Sequence, residues 1–261
     1  MIKNYFSNIF KARYILSNLV RQDLKNRYRS SILGLAWTFL TPLGLVGIIG
    51  LVYSVVFSTP MEQFVPYLFS GLIPWLFLNQ CADGGTTSFL AGQGYIKQTQ
   101  TPLEIFPIRV AMGAFINLLI SLVAFFLVFS IIQPGKMNLN TLLVIPALAI
   151  WFCFGVAWAT LVAFAHVLVR DFGPLQALVL QGLFYVTPII YPLETIKGKG
   201  LDWVLYINPL YYFFDILRQP LLGELPTIKY AYIICIGVVL VLLLISILLM
   251  KNIGRKITYR L

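Results

Sequence analysis

Leu19-Val20-Arg21-Gln22-Asp23-Leu24-Lys25-Asn26-Arg27-Tyr28-Arg29 leads directly into Ser30 to Met61, 32 residues without a single charged side chain. At 1.5 Å per residue a helix of that length reaches roughly 48 Å, well past a hydrocarbon core of about 30 Å. An uncharged run fenced on one side by cations reads as a bilayer span whose start is held in the cytoplasm. The chain is therefore expected to be an integral membrane protein, and its function to lie in the bilayer.

Working outward, the rest of the sequence agrees. Hydrophobic residues make up 59% of the chain and charged residues 11%, with a mean hydropathy of +0.87. Further uncharged runs cover 63–82, 84–96, 110–135, 137–169, 172–193 and 230–250. The 84–96 run is short and Gly-rich, and it is expected to carry the preceding helix to the membrane surface. The reading is an all-α membrane protein with six spans, at about 32–58, 64–88, 107–132, 141–168, 172–191 and 230–250. It divides into a cytoplasmic interfacial segment, 1–29, and a six-span domain, 30–261. No room remains for a large soluble domain.

Charge sets the topology. Six spans with both termini inside put fourteen of the 19 Lys and Arg on the cytoplasmic side. These are Lys3, Lys11, Arg13, Arg21, Lys25, Arg27 and Arg29, then Lys97, Arg109 and Arg170, then Lys251, Arg255, Lys256 and Arg260. Lys136, Lys197, Lys199, Arg218 and Lys229 are left outside. The net charge of +10 thus follows the positive-inside bias, and no nucleic-acid partner is implied.

Residues 203–214 are uncharged, but twelve residues are too few to cross as a helix. Counting them as a span would also send the cationic tail outside. The Asn208-Pro209 break predicts two short arms, a re-entrant hairpin between spans five and six. Near the start, Ile2, Phe6, Ile9, Phe10, Leu16, Leu19 and Val20 follow a helical period among cations. They predict an amphipathic helix on the cytoplasmic surface, either a plain anchor or a docking surface. The first thirty residues lack a compact apolar core with a cleavage site, so no signal peptide is expected. Cys81, Cys153 and Cys235 have no metal-ligand spacing and read as reduced thiols.

The motif inventory excludes several chemistries. Gly135-Lys136 and Gly198-Lys199 lack the rest of a phosphate loop, and no H-E-x-x-H or G-x-S-x-G occurs. His166, the only histidine, reads as an interfacial hydrogen-bonding group. No ionisable residue falls at mid-bilayer by these span limits; Asp83 and Arg109 come nearest, toward cytoplasmic ends. That pattern disfavours an ion-coupled carrier. A membrane-embedded acyltransferase would need a base or nucleophile that the inventory lacks. The spans offer two small-residue seams, Gly44/Gly47/Gly50 and Gly155/Ala159/Ala163, that suit close helix packing. They also offer aromatics, among them Trp37, Phe39, Tyr53, Phe57, Phe69, Trp75, Tyr185 and Tyr191. Such rings either stack on sugar faces along a conduit or serve as ordinary interfacial belts and core.

One cytoplasmic loop is distinctive: Tyr95-Ile96-Lys97-Gln98-Thr99-Gln100-Thr101-Pro102-Leu103-Glu104-Ile105-Phe106-Pro107. By itself it reads as a brief surface helix or a structural connection. Taken with "DLKNRYRSSILGLAW" at 23–37, "TPIIYP" at 187–192 and "NPLYYFFDILRQPLLG" at 208–223, it becomes specific. The chain resembles, almost end to end, the permease subunits of ABC transporters that export polysaccharides such as O-antigen, capsule and teichoic acid. In that family the loop is usually hydrophobic and basic, whereas here Gln98-Thr99-Gln100-Thr101 is polar.

The resemblance implies a homodimer of six-span subunits in the bacterial inner membrane, with two cytoplasmic ATPase subunits that hold ATP and magnesium. No cofactor or metal is expected in this chain, and it is not expected to be an enzyme itself. The N-terminal helix and a coupling loop at 93–107 would contact the ATPases, through Lys97, Thr101, Pro102, Glu104 and Pro107 with Arg27 and Arg29 nearby. The hairpin at 203–222 would be the outer gate, with Asn208, Pro209, Tyr211 and Tyr212 closing it. The cargo implied is a lipid-linked polysaccharide. An exporter of small molecules or drugs from the same superfamily is the alternative.

Overall fold

The structure is a computed structural model, and it describes residues 2–29, 33–34, 36–57, 60–99, 101–192 and 202–260. Every regular element among them is helical. In order they are α1 (Ile2–Lys11), α2 (Arg13–Tyr28), α3 (Ala36–Phe57), α4 (Met61–Ala91), α5 (Gln93–Gln98) and α6 (Ile105–Ile132). A 3-10 turn at Leu139–Leu143 then leads into α7 (Val144–Leu168). The chain continues through α8 (Phe172–Val186), α9 (Asp202–Ile207), α10 (Pro209–Leu221) and α11 (Ala231–Arg260). Lys197 and Lys199 lie outside the described residues, as do the side chains of Arg27 and Phe57.

Four stretches are long and apolar enough to cross a membrane: Ala36–Val56, Ile105–Ile132, Leu139–Leu168 and Ala231–Gly254. Two expected spans differ from these for physical reasons. The helix α4 is 31 residues long, but Glu62, Asn79, Gln80 and Asp83 interrupt its apolar surface. Glu62 and Asp83 stay exposed toward its two ends, while half-buried Gln80 accepts from Asn117 of α6 and Asn79 donates to the Trp75 carbonyl of its own helix. The helix α8 has only 15 residues, about 22 Å, before the chain turns at 187–192.

The small-residue seam on α7 is where α4 packs most closely. A Cβ on Gly85 would sit 2.4 Å from Val162 and 2.9 Å from the Ala159 carbonyl, and one on Gly155 would meet Phe77 at 2.4 Å. Only backbone-close packing of this kind lets two long helices share a seam. The glycines on α3 behave differently: Gly50 lies near Val65, while Gly44 and Gly47 face open space.

Prolines inside these helices remove backbone donors, and neighbouring helices replace two of them. Pro66 leaves the Glu62 carbonyl without its helical partner, and Gln133 Nε2 at the end of α6 donates to it at 2.7 Å. Pro220 does the same to Ile216, whose carbonyl receives the Tyr232 hydroxyl at 3.4 Å.

Three expectations need correction. The N-terminal segment is two helices, not one, broken at Ala12, which sits buried with Leu16, Leu19 and Val20. Phe10, expected on the apolar face, is 66% exposed because α1 presents other residues to the protein. The last helix does not stop at 250 but runs on to Arg260, so the cationic tail is an extension of the span.

Candidate coupling face, conduit and outer gate

The predicted coupling residues Thr101, Pro102, Glu104 and Pro107 run from the end of α5 into α6, with α1 touching Glu104 and α11 touching neighbouring Leu103. Lys97 is exposed in the last turn of α5, and Arg29 is exposed just beyond α2. Thr101, Pro102 and Glu104 are half-buried, and Pro107 is buried in the first turn of α6, where a missing N–H costs nothing. Thr99 and Thr101 pair through their hydroxyls at 2.5 Å, tightening the loop. The Glu104 carboxylate accepts a hydrogen bond from Asn8 Nδ2 at 3.2 Å. Tyr5, on the same α1, is buried. That burial, with the Glu104 charge nearby as the lesser cause, pushes its phenol up to about 12. On the far side Leu103 reaches the α11 backbone, where a Cβ on Gly254 would stand 3.5 Å from it.

A second tie joins this face to the bundle. Arg109 of α6 forms a two-pronged ion pair with Asp23 of α2, fixing the surface helix to the span. Among the described residues it is the one ion pair. The loop, α1, α2 and the start of α6 are therefore linked by charged or polar contacts.

The predicted conduit aromatics divide into two groups. Phe69 and Trp75 are buried: Phe69 packs edge-on to Phe125 at 5.7 Å, and Trp75 lies 5.2 Å from Phe184. Phe69 is fully enclosed between α4 and α6, so it is core and offers no lining surface; this corrects the expectation. Tyr53 stacks on Phe64 at 4.7 Å, and Phe39 packs half-buried against the core. Trp37 and Tyr185 are open, at 51% and 60% exposure, and the Tyr191 hydroxyl donates to the Tyr185 carbonyl at 2.7 Å. The Phe57 side chain lies outside the described residues.

At the other end of the bundle, α9 and α10 meet at Asn208, as the Asn-Pro step predicts. The Asn208 side chain caps α10 by accepting from Leu210 N at 3.0 Å and donates to Thr187 Oγ1 at 2.9 Å. Pro209 follows at the first helical position. Tyr211 is buried beside half-buried Tyr212, with ring centroids 5.7 Å apart, and the Tyr212 hydroxyl donates to the Tyr206 carbonyl at 3.0 Å. Trp151 of α7 anchors the helix, its Nε1 donating to the Phe213 carbonyl at 3.0 Å.

Sequence reasoning missed the residue that organises this end. Arg218, expected among the outside cations, is 5% exposed. Its Nη1 donates to the Tyr67 hydroxyl at 2.7 Å and to the Pro188 carbonyl at 2.5 Å, and its Nη2 donates to the Ile189 carbonyl at 3.0 Å. The guanidinium also lies 4.0 Å over the Tyr67 ring. Gly71 makes room for it, since a Cβ there would stand 2.1 Å from Nη2. Nearby Asp215 is engaged elsewhere, accepting from Thr227 N and Ile228 N at 3.2 and 3.1 Å. One signal was available: the arginine in "DILRQP" sits within a helix that is otherwise strongly apolar on one face.

His166, expected to hydrogen-bond at the interface, has a buried Nδ1 with no partner among the described residues. The three cysteines are free thiols; Cys81 and Cys235 are buried and Cys153 half-buried.

Comparison with known proteins accounts for most of the chain. The sequence pattern of the ABC-2 type transporter family matches residues 15–222. The O-antigen export system permease protein RfbA of Myxococcus xanthus is 28% identical over 207 residues, 77% of this chain and 78% of the relative. Two permeases of the same name from Klebsiella pneumoniae are 29% and 28% identical over 201 residues, 75% of each chain. Together with the apolar spans, the match over 15–222 places the chain in the ABC-2 type transporter family, as a multi-pass membrane permease.

Proposed function

We propose that this permease is the membrane half of an ATP-driven exporter that carries a lipid-linked, O-antigen-type polysaccharide across the bacterial inner membrane. One observation carries the cargo assignment: permeases named for O-antigen export align with three-quarters or more of this chain. The working unit is a homodimer with two cytoplasmic ABC ATPases, which bind the nucleotide and its magnesium. The six helices α3, α4, α6, α7, α8 and α11 each cross the bilayer, both termini are cytoplasmic, and α9 with α10 dips into the outer leaflet.

In this reading the ATPases close on ATP and push on the loop 93–107. Lys97, Thr101, Pro102, Glu104 and Pro107 receive the push, with Arg27 and Arg29 at the cytoplasmic margin. The Asn8–Glu104 bond and the Asp23–Arg109 pair support it, because they allow loop and surface helices to move together. The spans α3, α4 and α8 then reorient. Trp37, Phe39, Tyr53, Phe57, Tyr185 and Tyr191 line the path with flat apolar faces along which a sugar chain slides, and buried Trp75 backs that wall against Phe184. Asn208, Pro209, Tyr211 and Tyr212 close the exit between strokes.

Glu104→Arg, or deletion of Thr99–Glu104, is expected to abolish surface glycan while ATP hydrolysis and membrane insertion persist. The assay is a surface-glycan blot beside ATPase turnover of the purified complex. Normal glycan in those variants would remove the coupling assignment. Altered drug resistance with normal glycan in a deletion strain would favour the small-molecule alternative.

A further inference from the structure

Two cavities, one between α3, α4 and α6 and the other between α2, α4 and α6, share one side chain, Gln80. The deeper, of about 330 Å³, is lined by Trp37, Thr41, Gln80, Asn117 and Ser121 among others. The second, of about 470 Å³, lies toward the cytoplasmic ends and is lined by Asp23, Gln80, Asp83 and Arg109 among others. Both volumes fall within the range of small-molecule sites. Gln80 stands eleven residues from the end of α4 at Ala91, about 16 Å along the helix, so the shared point lies well inside the bundle.

Polar groups at that depth serve either as glue between helices or as a surface for cargo. The hydrogen bonding separates the two roles. Asn117 Nδ2 donates to Gln80 Oε1 at 2.7 Å, which ties α6 to α4. Glue needs no more than that one bond. Yet the Gln80 amide nitrogen, with two further donors, has no partner among the described residues, and it borders both cavities. The Ser121 hydroxyl donates backward to the Asn117 carbonyl at 2.9 Å, leaving its lone pairs on the cavity side as acceptors. Trp37, half exposed, supplies a flat wall.

Charge narrows the ligand. In the lower cavity Arg109 is already held by Asp23, while Asp83 makes no ion pair among the described residues. One cation against two carboxylates repels a phosphate or diphosphate. An uncharged polyhydroxyl group meets no such penalty, and amide donors, hydroxyl acceptors and an indole face match its hydroxyls and its apolar ring face.

Resting on the export reading above, we propose that the cleft between α3, α4 and α6 binds an uncharged sugar unit of the glycan. Gln80, held in place by Asn117, reads its hydroxyls and Trp37 stacks on its ring. Any phosphate on the lipid carrier stays outside the cleft.

The test uses the full permease with its partner ATPase in glycan-producing cells. A benzophenone amino acid replaces Thr41, Tyr185 or the outward-facing Ile131 in separate strains. After irradiation the purified permease is stained for periodate-sensitive carbohydrate, so the probe is the cell's own surface polysaccharide. Label at Thr41 at least tenfold above Ile131 is expected, and Gln80→Leu should lower it at least fivefold without changing membrane level or the Tyr185 label. Label at Tyr185 with none at Thr41 overturns the cleft and leaves the export reading standing. A Thr41 adduct made only of phospholipid, or one indifferent to Gln80→Leu, also overturns it. Silence at both Thr41 and Tyr185 removes the export reading and the cleft together.

Discussion

Arg218 shows how one side chain can hold an end of a membrane bundle together. A buried guanidinium without a carboxylate partner needs carbonyls and hydroxyls to replace its water; Tyr67, Pro188 and Ile189 do so for its two terminal nitrogens, while Nε has no partner among the described residues. Arg218→Gln is expected to lower stability by about 3 kcal/mol, since charge-assisted bonds contribute about 1.5–3 kcal/mol each and a partial replacement remains. Thermal unfolding in detergent would measure it. Gly71→Ala should destabilise by about 1–3 kcal/mol, because its methyl takes the place of Nη2. In an Arg218→Ala background the same change should cost far less. Additive losses in that cycle would show that Gly71 matters for some other contact.

Among elements, the α1 helix, expected as an anchor or docking surface, also touches the loop that the ATPases are proposed to push. Asn8→Ala should loosen that contact by about 1 kcal/mol, the half-exposed position discounting the charge assistance. Spin labels on α1 and the 99–104 loop would report the wider distance distribution. The contact also has an alkaline limit. Tyr5 holds its proton to about pH 12 when docked but only to about 10 when free. Docking strength is therefore full below pH 10 and declines as pH rises from 10 to 12, because the released state loses the proton first. Tyr5→Phe should abolish that decline between pH 10 and 12, and an unchanged pH profile would exclude Tyr5 as its origin.

The break at Asn208-Pro209 was legible because both residues act locally: asparagine caps and proline starts a helix. The break at Ala12 was not, since alanine is the strongest helix former and only burial against the bundle explains the kink. Arg218 was illegible for a similar reason. Its partners lie about thirty and 150 residues away and are mostly backbone carbonyls, which leave no pattern of side-chain types. The aromatics could be counted but not sorted, because the enclosure of Phe69 comes from distant partners such as Phe125 of α6, while Tyr185 is left open.

For the whole molecule, α8 decides the topology. If its 15 residues and the 187–192 turn complete a crossing, the segment before α11 is outside and the helix end at Arg260 is inside. Leu225→Cys should then react with an impermeant maleimide in intact cells, whereas Lys97→Cys and Lys251→Cys should react only after permeabilisation. Protection of Leu225→Cys together with labelling of Lys251→Cys would reduce the count to five crossings. Backbone geometry sets a further constraint at the same end. Gly223, at a φ of +82°, comes so near the Lys136 carbonyl that a Cβ would lie 2.3 Å away. Gly223→Val should cost more than 2 kcal/mol through both strain and collision, seen as lower membrane yield.

The amide that Gln133 lends to the Glu62 carbonyl fastens the far tips of α4 and α6 where Pro66 left a gap. The same two helices also press together at their cytoplasmic ends, where a Cβ on Gly84 would stand 2.6 Å from Val110 and one on Gly92 2.4 Å from Phe106. Held at both tips, the pair would tilt as one strut, so force arriving beneath the membrane would travel along it to the outer face without splaying it.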